Sequence, residues 1–232
     1  MQRYFKNPIN IIFLLFMIYN AITNGRFNNP LDWLINTLYL IPGIVIGITV
    51  HEFAHAYSAY KLGDMTPKAQ KRVTLNPLAH IDPVGIIALI FVGFGWGKPV
   101  QVNPYAFQKR RRLCNLITDV AGVVTNFIVA FLATGLLRLM YEINANQIII
   151  TIVAYLIQMN LVLMIFNLIP VPPLDGFGII TEIFDLRKYS WYQTVYNYGS
   201  IILMLLVISR LVGFILNPVL SAIYDLFFAI WF

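Results

Sequence analysis

The chain has 232 residues, 59% of them hydrophobic and 11% charged, with a net charge of +6. Soluble domains carry roughly 25% charged residues, so these charges cannot cover a soluble fold. A soluble enzyme, a disordered chain and, with the single cysteine Cys114, a disulfide scaffold are all excluded. The basic excess sits in loops between apolar runs, as membrane topology alone produces, and does not point to nucleic acid.

Charge-free runs give the elements in chain order. Nineteen uncharged residues lie between Lys6 and Arg26, and nineteen more between Asp32 and Glu52. A spanning helix needs about 20. The first run reads as a retained anchor helix, because Tyr19 to Thr23 offers only a poor signal-peptide cleavage site. A helix over about 33–60 leads to a loop with Lys61, Lys68, Lys71 and Arg72.

The next run, 83–97, is short and rich in glycine (Gly93, Gly95, Gly97). A second basic cluster follows it: Lys98, Lys109, Arg110, Arg111 and Arg112. If 83–97 spanned, the two basic clusters would face opposite sides, against the positive-inside bias. It is expected to be a re-entrant or β-hairpin element on the cytoplasmic side. Residues 113–140 span outward, 146–169 span inward, and 171–190 return to the cytoplasm with Arg187 and Lys188. The tail from about 191 to 232, interrupted by Arg210 and Asn217-Pro218, reads as one long helix or two short ones.

The expectation is therefore an all-α polytopic membrane protein with about five or six transmembrane helices. It forms a single domain over 1–232, with a metal-binding core at about 33–180. It is a multi-pass protein of the cell membrane with its N-terminus in the cytoplasm.

Residues 51–55 read His51-Glu52-Phe53-Ala54-His55. Helical positions four apart share a face, so both imidazoles reach one ion while Glu52 projects beside them toward a water. Two polar rings and an acid inside a membrane helix are costly unless paired or functional. With Lys61 at the cytoplasmic interface, His55 lies about 9 Å inward and His51 about 15 Å at the helical rise. That is the cytoplasmic half of a core roughly 30 Å thick.

A catalytic zinc takes three protein ligands and keeps a fourth position open. The third candidates are His80 and Asp175, and Asp175 is favoured. It is the first charge after 32 uncharged residues, amid prolines and a glycine that break the helix. Such backbone is tolerated at membrane depth where it lines a cavity. His80 sits in a polar loop at the edge, where an ordinary hydrogen-bonding histidine serves. The reading is one zinc per chain, with Glu52 taking a proton from water and passing it to a leaving amine.

Four stretches together resemble the site-2 protease family of intramembrane zinc metalloproteases: His51-Glu52-x-x-His55, Asn76-Pro77-Leu78-Ala79-His80-Ile81-Asp82-Pro83-x-Gly85, Gly97-Lys98-Pro99-Val100-x-Val102-Asn103-Pro104 and Pro173-Leu174-Asp175-Gly176. The likeness is to the short bacterial form without PDZ or CBS domains. It implies zinc ligands His51, His55 and Asp175, a general base Glu52, and cleavage of a transmembrane or juxtamembrane bond in a single-span substrate within the lipid bilayer. Asn126 keeps the place of a family asparagine, although Val123 stands where the family commonly has proline. Asn126 and Asn167 are candidates for substrate or oxyanion contacts, a helix-to-helix bond being the other role for Asn167.

The rival class is a non-proteolytic metal-binding protein, either a transporter or a membrane chaperone. A transporter gains nothing from a glutamate between two histidines, and no internal repeat is visible. The intact Glu52 opposes a chaperone. Residues 94–104 read as a strand edge holding substrate extended or as an interfacial loop. Arg110–Arg112 read as a positive-inside anchor.

Overall fold

The computed structural model describes residues 28–92, 95–108, 110–209 and 211–232. The expected first helix, between Lys6 and Arg26, lies outside the described residues, as do Gly93, Phe94, Lys109 and Arg210. Helix α1 (Pro30–Lys61) begins with Pro30 and Asp32 and ends with Lys61, residues that suit the two ends of its dipole. After it come short α2 (Thr66–Ala69), α3 (Pro83–Val92), α4 (Arg111–Glu142), α5 (Gln147–Asn167), α6 (Asp175–Phe184), α7 (Tyr192–Ile208) and α8 (Leu211–Trp231). By length and composition α1, α4, α5 and α8 can each cross a membrane, and α7 is a shorter apolar helix. The tail is thus two helices.

Helices α4 and α5, joined by a short loop at 143–146, pack against each other and α1 packs on both. Ile44 and Ile48 of α1 meet Met159 of α5. On α8, Phe227 is buried with Ala130, Leu137 and Ile157 and sets its ring edgewise on Phe127 and Phe131, each 5.2 Å away. Outside this core, Leu132, Leu136, Leu139 and Phe214 stay exposed. A bilayer is the solvent that suits such a surface.

Helix α3 has 10 residues, about 15 Å at the helical rise and half the bilayer core. It cannot span. One antiparallel bridge, Ile81 to Gly97, is its whole β-pairing among the described residues. The chain then returns beside the loop after α1. The Gln70 amide donates to the Gln101 side chain at 2.7 Å. Arg72, only 5% exposed, donates to the carbonyls of Lys98 and Pro99. Asp64 is fully buried and accepts from the backbone N–H of Thr66 (2.9 Å) and Asn103 (2.7 Å). Both basic stretches therefore lie on one end of the bundle, and Arg72 is a structural clamp as well as a topogenic charge.

Candidate metal centre

The His51-to-His55 spacing on α1 turns both rings toward α4 and α6. Asp175 is the first residue of α6, reached through a non-helical passage from Leu168 to Leu174. Turns such as Leu174 N–H to Val171 O at 3.0 Å fold that passage back. A side chain at Gly176 would strike the Leu168 carbonyl, so the close return requires glycine. On α4, a side chain at Gly122 would collide with both imidazoles.

The Asp175 Oδ2 lies 3.2 Å from the Nε2 of His51 and 3.2 Å from that of His55, and the two Nε2 atoms are 3.0 Å apart. The other ring nitrogens face oxygen. His51 Nδ1 donates to Asn126 Oδ1 at 2.8 Å, and His55 Nδ1 donates to the Thr118 carbonyl at 2.7 Å. The protons so placed leave a lone pair on each Nε2. Asp175 Oδ2 is buried with no hydrogen-bond donor. Three ligand atoms thus converge on one point, where a single cation would satisfy all three. Tetrahedral zinc ligands at about 2.0–2.1 Å from the ion stand about 3.3 Å apart, close to the separations seen. The donor set fits zinc.

Other groups are held apart from this point. Glu52 accepts the Val100 N–H on Oε2 at 2.9 Å, which fixes one oxygen and leaves Oε1 toward Gly97. His80 donates from Nε2 to the Thr74 carbonyl at 2.8 Å, outside the converging set, and burial lowers its pKa. Asn167, at the end of α5, bonds back to the Leu163 carbonyl at 2.9 Å. Asn126 is fully buried; its amide nitrogen donates to Asn160 Oδ1 (3.1 Å) and to the Gly47 carbonyl (3.3 Å). Its amide is spent on orienting His51.

Sequence reasoning missed Asn160, which is fully buried and donates to the Leu156 carbonyl at 2.8 Å. The available signal was an amide in the middle of an apolar helix. It also missed Glu182. That carboxylate accepts from Asn115 at 2.8 Å and from both Arg187 nitrogens at 2.5 and 3.0 Å. These bonds hold the far end of α6 to α4.

Comparison with known proteins agrees with this chemistry. The Peptidase family M50 pattern matches residues 133–209, a stretch that includes Asp175. The chain is 40% identical over 190 residues to "Putative zinc metalloprotease YwhC" of Bacillus subtilis, covering 79% of this chain and 86% of that protein. It is 28% identical over 187 residues to "Putative zinc metalloprotease Rip2" of Mycolicibacterium smegmatis, covering 78% and 70%. It is 25% identical over 219 residues to "Zinc metalloprotease MJ0392" of Methanocaldococcus jannaschii, covering 94% and 54%. No solved structure matches. The chain therefore belongs to Peptidase family M50, the site-2 proteases, and is a zinc metalloprotease of the membrane.

Proposed function

We propose that this metalloprotease cuts single-span membrane proteins at a peptide bond within or beside their transmembrane segment. The observation that carries the reading is the position of the candidate ligands along α1: His51 and His55 sit inside a helix long and apolar enough to span, ten and six residues before its terminal Lys61. A substrate for such a site is one already in the bilayer.

His51, His55 and Asp175 would hold the ion. When bound there, zinc acidifies water and polarises the scissile carbonyl. Glu52 acts as general base. Its Oε2 is pinned by the Val100 N–H, so Oε1 is left to take a proton from the attacking water. The water oxygen joins the carbonyl carbon, the C–N bond breaks, and Glu52 returns the proton to the leaving amine. Thr118 and Asn126 hold the imidazoles in the tautomer this chemistry needs.

The segment 97–103 is the place for an extended substrate. Lys98, Pro99, Val100 and Asn103 spend backbone groups on His80, Arg72, Glu52 and Asp64. The Gln101 and Val102 backbone groups have no partner among the described residues, and a substrate strand pairs there. The residues to which these roles fall lie within a core at about 33–180.

The test is Glu52→Gln, reconstituted with a candidate single-span protein. The expected result is a 10²–10⁴-fold loss of cleavage with zinc content at the parental level. Near-parental cleavage would overturn the mechanism.

A further inference from the structure

A cavity of about 520 Å³ opens between the first turn of α4 and the last turn of α6, lined by Arg110, Arg111, Arg112, Leu113, Leu116 and Glu182. Its charges are not equivalent. Arg112 is committed, because it donates to the carbonyls of Glu182 and Ile183 and lies 3.8 Å from Asp185. Glu182 is also committed: its side chain is 1% exposed and saturated by Asn115 and Arg187. Arg110 and Arg111 are exposed and have no carboxylate partner among the described residues, although Arg111 stacks on Tyr105 at 4.8 Å. Two guanidiniums without a carboxylate partner among the described residues therefore line the cavity, beside the positive end of the α4 dipole.

A topogenic role explains the charges but not the rest. Leu113 and Leu116 lie three apart on one face of α4, and they continue the cavity from the arginines toward the apolar length of the helix. A cationic rim above an apolar floor, at the end of a spanning helix, has the form of a phosphodiester with acyl chains attached. We propose that this cavity binds an anionic phospholipid, with its phosphate on Arg110 and Arg111 and an acyl chain along Leu113 and Leu116. The proposal is independent of the cleavage mechanism, since none of the four residues touches the metal ligands in any bond described above.

The test is native mass spectrometry of the full chain in detergent, titrated with phosphatidylglycerol or with phosphatidylcholine of the same acyl chains. Phosphatidylglycerol is expected to bind at least ten-fold more tightly. Arg110→Gln with Arg111→Gln should weaken it about thirty-fold, from about 1 kcal/mol for each arginine near an anionic lipid. Lysine at both positions should restore binding to within about three-fold. Leu116→Trp, which fills the floor, should also weaken phosphatidylglycerol binding. Zinc content at the parental level checks that each variant is folded. Equal binding of the two lipids, or an unchanged affinity in the glutamine double variant, would overturn the proposal. Full displacement of phosphatidylglycerol by millimolar inorganic phosphate would also overturn it, by showing a site for phosphate alone.

Discussion

The proton on His51 is placed by amides. Asn126 accepts it, Asn160 accepts from Asn126, and Asn160 donates to the Leu156 carbonyl. Turning the Asn126 amide over would set its NH₂ against the His51 N–H and its oxygen against two other oxygens. The chain therefore permits one orientation. Removing such an outer partner typically costs 10–100-fold in metal affinity. Asn160→Leu, which keeps the branch at Cγ and removes the amide, leaves the Asn126 amide nitrogen only its 3.3 Å bond to Gly47, and about ten-fold weaker zinc binding is expected by competition with a chromophoric chelator. Unchanged affinity would show that Asn160 only packs. His51, Glu52 and His55 were legible because one helix carries them at a spacing with a chemical meaning. Asp175 was legible as a charge interrupting a long apolar run. Asn160 was not, because an asparagine in a membrane helix equally serves to bond neighbouring helices, and its partner lies 34 residues away in sequence.

At the scale of elements, the position of Asp175, the third candidate ligand, depends on how α6 is held. The helix has only 10 residues, short for independent stability, so both of its ends need anchors. At the first turn Gly178 packs tightly on Asp119 of α4. At the last, Arg112 caps the free carbonyls and Glu182 ties Asn115 to Arg187. The Glu182 hydrogen bonds raise the Arg187 pKa, keeping that guanidinium charged. Glu182→Ala strands Asn115 and Arg187. Breaking a buried pair costs about 3–5 kcal/mol; Arg187 is 45% exposed and solvent screens it, so about 2 kcal/mol is expected. The readout is a lower thermal unfolding midpoint in detergent, with faster zinc loss to a chelator. Replacing Asn115, Glu182 and Arg187 together by leucine, which leaves no polar partner stranded, should recover most of the midpoint, and an unchanged midpoint in Glu182→Ala would dismiss the clamp. The helices themselves were readable from uncharged run lengths. The clamp was not, because a charge in a short loop has the same appearance whether it meets water or another helix.

At the scale of the whole molecule, the stretches 61–72 and 98–108 belong to one side of the membrane. Helix α3 between them is about half the length a crossing requires. More directly, Arg72 binds the carbonyls of Lys98 and Pro99, Asp64 binds the Asn103 N–H, and Gln70 meets Gln101. Those bonds cannot form across a bilayer. By contrast α4 has 32 residues, about 48 Å at the helical rise, so the loop after it must emerge on the opposite side. Single cysteines test this in a chain whose buried Cys114 is replaced by alanine. Lys68 and Tyr105 are exposed on the first face, and Asn144 is exposed in the loop between α4 and α5. In intact cells an impermeant maleimide should label cysteine at 144 and leave 68 and 105 untouched; in inverted vesicles the pattern should reverse. This direction of labelling is the one the positive-inside bias predicts from the basic residues around 68 and 105. Labelling of 68 and 105 from opposite sides would mean that the stretch containing α3 crosses after all, and the bonds tying Arg72 to the segment beside Glu52 could not exist in the membrane-embedded enzyme.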